Sequence, residues 1–469
     1  MGSGMGSHVV AVLPEVLLLA GAMVVLVGGS YTPRERQWVL RLVAVAALLG
    51  SIAAAVVGLT SPAELVFQGT YAVDATTGAV RLIVAAATLL VIGLGVDELA
   101  GHRQESETYT LLLLSATGSV VIAGAADLLV MVVAFLLASI PLYALVGQAR
   151  TASAAEGAMK TYLMGALFGI VLMAGVVVLL GVSGGEAGYA GLVAALETAP
   201  VGAVAAGAVA VIVGLMFKAG GVPGHFWVPD AAQGADVTAA AFLTTVPKIG
   251  AIVAIYRLVE ALPAAVDARL VVAVLAVASM TLGNLAAFAQ TAPRRLLGWS
   301  TVSQVGYALL PAAVAGRTDL AEPAMVLFLA AYAVTNLAAF AVVAALPGRV
   351  SIDDYRGLAR SHPLLAGALL VSLLGLLGTP PTSVFVAKLL VATAAWEGGS
   401  GWLAVVLVVN TLASLFYYLR WFAPVFRGGE ADGEYPQPRA WATRAAVVGG
   451  AASLALGLVA GPAWVLVVR

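Results

Sequence analysis

The chain has 469 residues, of which 62% are hydrophobic and 10% charged, with a mean hydropathy of +1.03 and a formal net charge of −1. Soluble domains run nearer 45–50% apolar and about 25% charged, so a water-soluble globule is excluded and an integral membrane protein is implied. Cys is absent, which excludes disulfides, Cys-ligated metals, iron–sulfur clusters and thiol chemistry, and four His are too few for a multi-His metal or haem centre.

The start of the chain is Gly/Ser-rich and lacks the basic region of a cleavable signal peptide. Runs of about 20 apolar residues, the length of a membrane crossing, then recur to the end. They are helical in character, since strands of a membrane barrel would alternate over about ten residues. Fourteen are read, at 9–28, 39–59, 79–96, 109–126, 128–147, 158–182, 201–219, 237–259, 268–290, 296–315, 323–346, 363–393, 402–424 and 442–467. The longest polar stretch, Arg427 to Arg439, is too short for an extramembrane domain. With the N-terminus outside, inside flanks hold fifteen Lys and Arg and outside flanks five. The positive-inside rule therefore predicts both termini outside, in agreement with an even number of crossings.

Two segments carry helix-breaking residues at mid-membrane. The seventh runs into Phe217-Lys218-Ala219-Gly220-Gly221-Val222-Pro223-Gly224-His225-Phe226-Trp227, and the twelfth contains Gly378-Thr379-Pro380-Pro381-Thr382. Lipid cannot satisfy the backbone groups such breaks release, so they belong where protein or a cavity supplies partners. Breaks at matching places in two halves point to the ion site of a transporter. The reading is an all-α polytopic membrane protein with two inverted five-helix repeats, segments 4–8 and 9–13. Residues 1–108 are its N-terminal helices, 109–260 the first repeat, 261–426 the second and 427–469 the C-terminal helix.

Only four of the 23 cationic residues are Lys: Lys160, Lys218, Lys248 and Lys388. The last three lie within apolar segments on three different helices. A charge deep in a bilayer is costly and usually functional. Burial destabilises the charged form of an amine, the property a proton relay needs. The alternative is structural: such lysines snorkel to an interface or cap carbonyls at the breaks. His225, beside Trp227, is read as an interfacial residue or a proton-path group. Gly184-Gly185 lacks the strand context of a nucleotide-binding loop.

The segments also carry motifs in a fixed order. They include Leu13-Pro14-Glu15, Ser139-Ile140-Pro141-Leu142-Tyr143, Met159-Lys160-Thr161-Tyr162, and Phe217-Lys218 through Val222-Pro223-Gly224-His225-Phe226-Trp227-Val228-Pro229-Asp230. Lys248, Arg295-Leu296-Leu297-Gly298-Trp299-Ser300, Asp353-Asp354-Tyr355-Arg356-Gly357-Leu358 and Gly378-Thr379-Pro380-Pro381 with Lys388 follow. In this register the chain resembles the subunit N branch of the antiporter-like membrane subunits of bacterial respiratory complex I, a family related to Mrp cation/proton antiporters. Its length fits the N or M type and not the L type, which carries a lateral helix.

The resemblance implies a fourteen-helix subunit of a proton-translocating NADH:quinone oxidoreductase in the bacterial inner membrane, with no redox chemistry of its own. Lys218 is then the lysine of the seventh helix, Lys248 the central relay, Lys388 the exit-side residue and Lys160 a flank of the inlet helix, with His225 on the proton path. NADH, FMN, iron–sulfur clusters and quinone belong to partner subunits, and the chain itself binds no cofactor or metal. The implied partners are membrane-arm subunits of the M, K, J, A, H and L types, the peripheral arm and the lipid bilayer, with no nucleic acid. The rival assignments are a subunit of an Mrp-type Na⁺/H⁺ antiporter or of a membrane-bound hydrogenase, or a non-pumping scaffold.

Two departures from the family pattern stand out. The family places a Glu on the fifth helix three residues before the Ser of its Ser-Leu-Pro-Leu-Tyr motif, and here that position is Leu136. The nearest acid on that helix, Asp127, lies about 13 Å away along the axis. Where the tenth helix often has a His, this chain has Gln304, which cannot take up a proton. Loss of the Glu implies a proton step that is weakened or differently gated, and Leu136 and Gln304 together favour the scaffold alternative.

Overall fold

The computed structural model describes residues 9–427 and 437–467. The chain is a bundle of helices: α1 (Leu13–Tyr31), α2 (Trp38–Gly58), α3 (Ala75–Leu99), α4 (Glu105–Gly124), α5 (Leu128–Gly147), α6 (Ala152–Val182), α7 (Val201–Ala219), α8 (Val237–Glu260), α9 (Ala268–Ala287), α10 (Pro293–Leu309), α11 (Ala321–Ala345), α12 (Pro363–Leu377), α13 (Ser383–Glu397), α14 (Gly401–Phe426) and α15 (Ala440–Val467). Short helices Tyr189–Glu197, Trp227–Gly234 and Leu358–Ser361 lie between them.

The helix starts follow from local chemistry. Asp74 accepts from the Thr77 N–H at the head of α3, Asp127 from Leu129 and Val130 at the head of α5, and Thr151 from Ala154 at the head of α6. Each side chain satisfies orphan N–H groups of a first turn. Asp127 is thereby committed to a cap.

Twelve of the described helices are long and apolar enough to cross a membrane. Two of the fourteen expected crossings depart from that form. The tenth ends at Leu309, after 17 residues, and the chain continues through a turn into a short 3₁₀ helix at Ala312–Val314. The twelfth is divided into α12 and α13, of 15 residues each. The all-α reading also needs a correction: an antiparallel hairpin, Glu64–Val66 with Tyr71–Val73, joins α2 to α3. Its turn places Phe67, Gln68 and Gly69 at positive φ. The run is too short and too mixed for periodicity to reveal it.

Burial is graded around α8. Every residue in the apolar window of α8 is buried, against about a third or less in α1 and α2. Helices α3, α4, α7, α10 and α11 pack against α8. A helix apolar all round belongs inside a bundle, and α8 has that composition. Two ion pairs, one buried and one half-buried, brace the periphery. Glu15 accepts from Arg81 at 2.8 and 3.0 Å and from the Tyr71 hydroxyl at 2.5 Å, tying α1, α3 and the hairpin. Arg257 donates to both Asp74 oxygens at 2.8 Å and to the Ala123 carbonyl, tying the end of α8 to α3 and α4.

Candidate functional site: two helix breaks and their lysines

Helices α7 and α12 end in the same way. Gly220 and Gly378 take left-handed φ values of 78° and 88°, a conformation that only Gly adopts without strain. The N–H groups of Gly220 and Gly221 both donate to the Met216 carbonyl, and those of Gly378 and Thr379 both donate to that of Leu374. This is the glycine-terminated C-cap. Three residues after each glycine stands a proline, Pro223 and Pro381, each following a cis bond. Neither helix can continue through such a sequence.

A lysine lies on each of these glycines. A Cβ placed on Gly378 would meet Lys388 Cδ at 2.9 Å, and one placed on Gly220 would lie 3.6 Å from Lys248 Nζ. The Lys388 ammonium donates to the carbonyls of Leu377 at 3.0 Å and Leu376 at 3.4 Å and to Thr411 Oγ1 at 3.4 Å, and it stands 4.0 Å from the centre of the Tyr307 ring. A cation at the carbonyl end of a helix satisfies orphan acceptors and meets the negative pole of its dipole. Lys388 thus caps carbonyls at the break, the geometry of the structural alternative. It also forms one wall of a cavity of about 180 Å³ between α13 and α14, lined otherwise by apolar side chains and Thr411.

Lys218 and Lys248 are different. Both are 1% exposed, and among the described residues neither Nζ has a hydrogen-bond partner. Lys218 Nζ lies 5.4 Å from the centre of the Phe135 ring. That ring belongs to an aromatic group in which Phe217 stacks on Phe168 and touches Trp227. Leu136, the position where the family has Glu, is 40% exposed, whereas Phe135 is buried. The ring that faces the amine is that of Phe135, one position before Leu136, and neighbouring helix positions point about 100° apart.

Lys160 stands apart from these three. Its side chain is 43% exposed and bridges Glu156 at 2.5 Å and Asp230 at 2.6 Å. Asp230 also pairs with Arg295, so one carboxylate joins α6, the short helix Trp227–Gly234 and α10. Burial works against the charged form of Asp230, but Lys160 and Arg295 outweigh it and hold the carboxyl below its ordinary range. In the sequence Asp230 stands only as the last residue of a motif, with nothing to mark it as a junction of three elements. His225 is buried within the break, its ring 5.8 Å from that of Trp299. Among the described residues, no group of three or more His, Asp or Glu is arranged to hold a metal ion.

Buried polar side chains run between the two breaks. The Tyr332 hydroxyl donates to the Thr244 carbonyl at 2.7 Å, one turn before Lys248, and lies 3.0 Å from Thr301 Oγ1. Asn336 donates to the hydroxyls of Thr244 and Thr245. The hydroxyls of Ser300 and Tyr418 are 2.6 Å apart, and Gln304 Nε2 donates to the Leu376 carbonyl at 2.9 Å. That carbonyl also receives Lys388, so Gln304 and Lys388 share one acceptor at the end of α12.

Residues 125–414, which include all four lysines, match the family model described as "NADH:quinone oxidoreductase/Mrp antiporter, TM". The chain belongs to this family. A Mycobacterium sp. (strain JLS) protein named NADH-quinone oxidoreductase subunit N is 56% identical over 97% of each chain. A Streptomyces griseus subsp. griseus protein named NADH-quinone oxidoreductase subunit N 1 is 52% identical over 98% of each. Among solved structures, a chain of respiratory complex I from Thermus thermophilus superposes with a TM-score of 0.83 at 30% identity, covering 96% of this chain and 97% of that one. A chain of the Mrp complex from Dietzia sp. superposes with a TM-score of 0.84 at 24% identity, covering 98% and 95%, a likeness of fold. The resemblance to subunit N therefore holds along nearly the whole length of this antiporter-family chain, and the Mrp and hydrogenase assignments are not favoured.

Proposed function

We propose that this chain is a proton-translocating membrane-arm subunit of a complex I-type NADH:quinone oxidoreductase, relaying protons through Lys218, Lys248 and Lys388. The observation that carries the reading is the pairing of each break with a buried ammonium group: Lys248 on Gly220 and Lys388 on Gly378. An isolated charge in a bilayer core is retained where it works, and Lys218 and Lys248 have no fixed hydrogen-bond partner among the described residues. The thread of Thr, Tyr, Asn, Ser and Gln side chains between Lys248 and Lys388 gives a transferred proton polar neighbours. Repeated Gly-x-x-Pro breaks support two five-helix units, and α10 together with the α12–α13 pair brings the crossings to fourteen. The arginine-rich end of the bundle faces the cytoplasm, with both termini outside. NADH, flavin, iron–sulfur clusters and quinone reside in partner subunits of the membrane and peripheral arms.

The test is Lys248→Ala and Lys248→Arg in the assembled complex within sealed membrane vesicles. An Arg keeps the charge and does not release its proton. Both variants are expected to assemble at wild-type yield and to lower NADH-driven proton uptake by about tenfold or more, the scale of losing a positioned acid–base group. Wild-type uptake in Lys248→Ala overturns the relay and leaves a scaffold.

A further inference from the structure

A second polar feature lies at the arginine-rich end, away from the breaks. A cavity of about 320 Å³ opens where α3, α8, α10 and α11 meet the residue that leads into α15, and its wall includes Glu98, Asp236, Arg294, Arg349 and Arg439. Asp236 occupies the N-cap position of α8 and does not cap it. Glu98 reaches over from α3 and caps α8 instead. Its carboxylate accepts from the N–H groups of Val237 at 3.2 Å and Thr238 at 2.8 Å, and from the Thr238 hydroxyl at 2.6 Å. The cap is thus supplied by another helix, and the Asp236 carboxyl is left on the cavity wall.

The register of α8 connects this wall to the buried amine. Val237 lines the cavity, and Val237, Ala241, Thr244 and Lys248 recur at intervals of four, three and four residues, which is one stripe of a helix. Thr238, Thr244 and Thr245 of α8, with Asn336 beside the last two, are polar side chains along the way. The span from Asp236 to Lys248 is about 18 Å.

We infer that Asp236 is the proton-collecting group of this subunit, taking protons from water at the cytoplasmic mouth and passing them to the stripe of α8 that ends at Lys248. This inference rests on the lysine relay proposed above. In each cycle the carboxylate binds one proton from the aqueous side and releases one toward the amine, so it ends unchanged. The groups facing Asp236 are Glu98 and His102 from α3 and the turn after it, and Arg294 from α10; Arg349 and Arg439 share its cavity. Burial and the neighbouring Glu98 outweigh His102 and Arg294 and raise the Asp236 carboxyl above its ordinary value.

The experiment compares Asp236→Asn, Asp236→Ser and Asp236→Glu with Lys248→Ala in the whole complex, in sealed vesicles, between pH 6 and pH 8. Native-gel yield identifies the variants that assemble. Asn or Ser is expected to slow proton uptake by roughly three- to tenfold at pH 8, where protons are scarce, and less at pH 6; Glu is expected to restore the wild-type profile. A structural role alone would lower uptake equally at both pH values. If either neutral variant assembles and matches wild type across the range while Lys248→Ala has lost uptake, the collector is overturned and the relay stands. If Lys248→Ala also retains uptake, the relay fails and the collector falls with it.

Discussion

At the scale of the residue, one amino acid in similarly buried settings is treated in two ways. Lys388 is held by two carbonyls, a hydroxyl and an aromatic face, whereas Lys218 and Lys248 have no hydrogen-bond partner among the described residues. A ring face about 5 Å from an ammonium contributes on the order of 1–2 kcal/mol when desolvated. Phe135 thus supplies part of what a carboxylate would supply to Lys218. By contrast, the buried guanidinium of Arg81 is paired with the Glu15 carboxylate. Removing the Glu15 carboxylate strands Arg81 at 3% exposure, and Glu15→Ala is expected to destabilise the α1–α3 contact by about 3–5 kcal/mol. Thermal unfolding of the solubilised complex measures this; an unchanged midpoint refutes it. Asp230→Asn removes the carboxylate that Lys160 and Arg295 share and is expected to lower the midpoint more modestly, since Lys160 is half-exposed and keeps Glu156. The Asp230 carboxyl is held low in the folded chain, so its contribution is present above the unfolded carboxyl value near about 4 and is lost as pH falls below it. The difference between wild type and Asp230→Asn is therefore expected to stay constant from pH 6 to 8.

At the scale of the element, the breaks in α7 and α12 are specified by short sequences, Gly-Gly-Val-Pro and Gly-Thr-Pro-Pro, and each has a glycine that cannot be exchanged freely. Gly378→Ala places a Cβ at φ +88° and 2.9 Å from Lys388 Cδ. The left-handed conformation costs an L-residue roughly 1–2 kcal/mol, and the lysine must move as well. Gly378→Ala is expected to reduce proton uptake more than assembly, because the displaced group is the Lys388 side chain. Equal losses of both would assign the glycine to folding alone. The glycines and prolines made both breaks legible in the sequence. The division of the twelfth segment into two 15-residue helices was legible in kind but not in extent, and the short α10 was not, since apolar residues continue past its end at Leu309.

At the scale of the whole molecule, α8 is the axis and α1 and α2 are the rim. The sequence contains no Cys, so a single introduced cysteine is the one thiol of this chain, and labelling of its band reports topology. Arg34→Cys is expected to react with a membrane-impermeant maleimide only from the cytoplasmic side, and Arg317→Cys only from the opposite side. The reverse pattern inverts the orientation and moves the Asp236 cavity to the other face.

Class and the placement of the rare charges are already written in local stretches of chain. Composition forces a membrane solvent, Gly-Pro chemistry forces two breaks, and three lysines sit in apolar runs. Which groups meet is a property of the folded bundle alone. The Phe135 ring faces Lys218; Lys388 and Gln304 share the Leu376 carbonyl; Glu98 takes the cap that Asp236 leaves. Each of these depends on the rotation of one helix about its axis against another. A pattern apolar on every side, such as that of α8, does not encode that angle; it is set by the packing of the neighbouring helices.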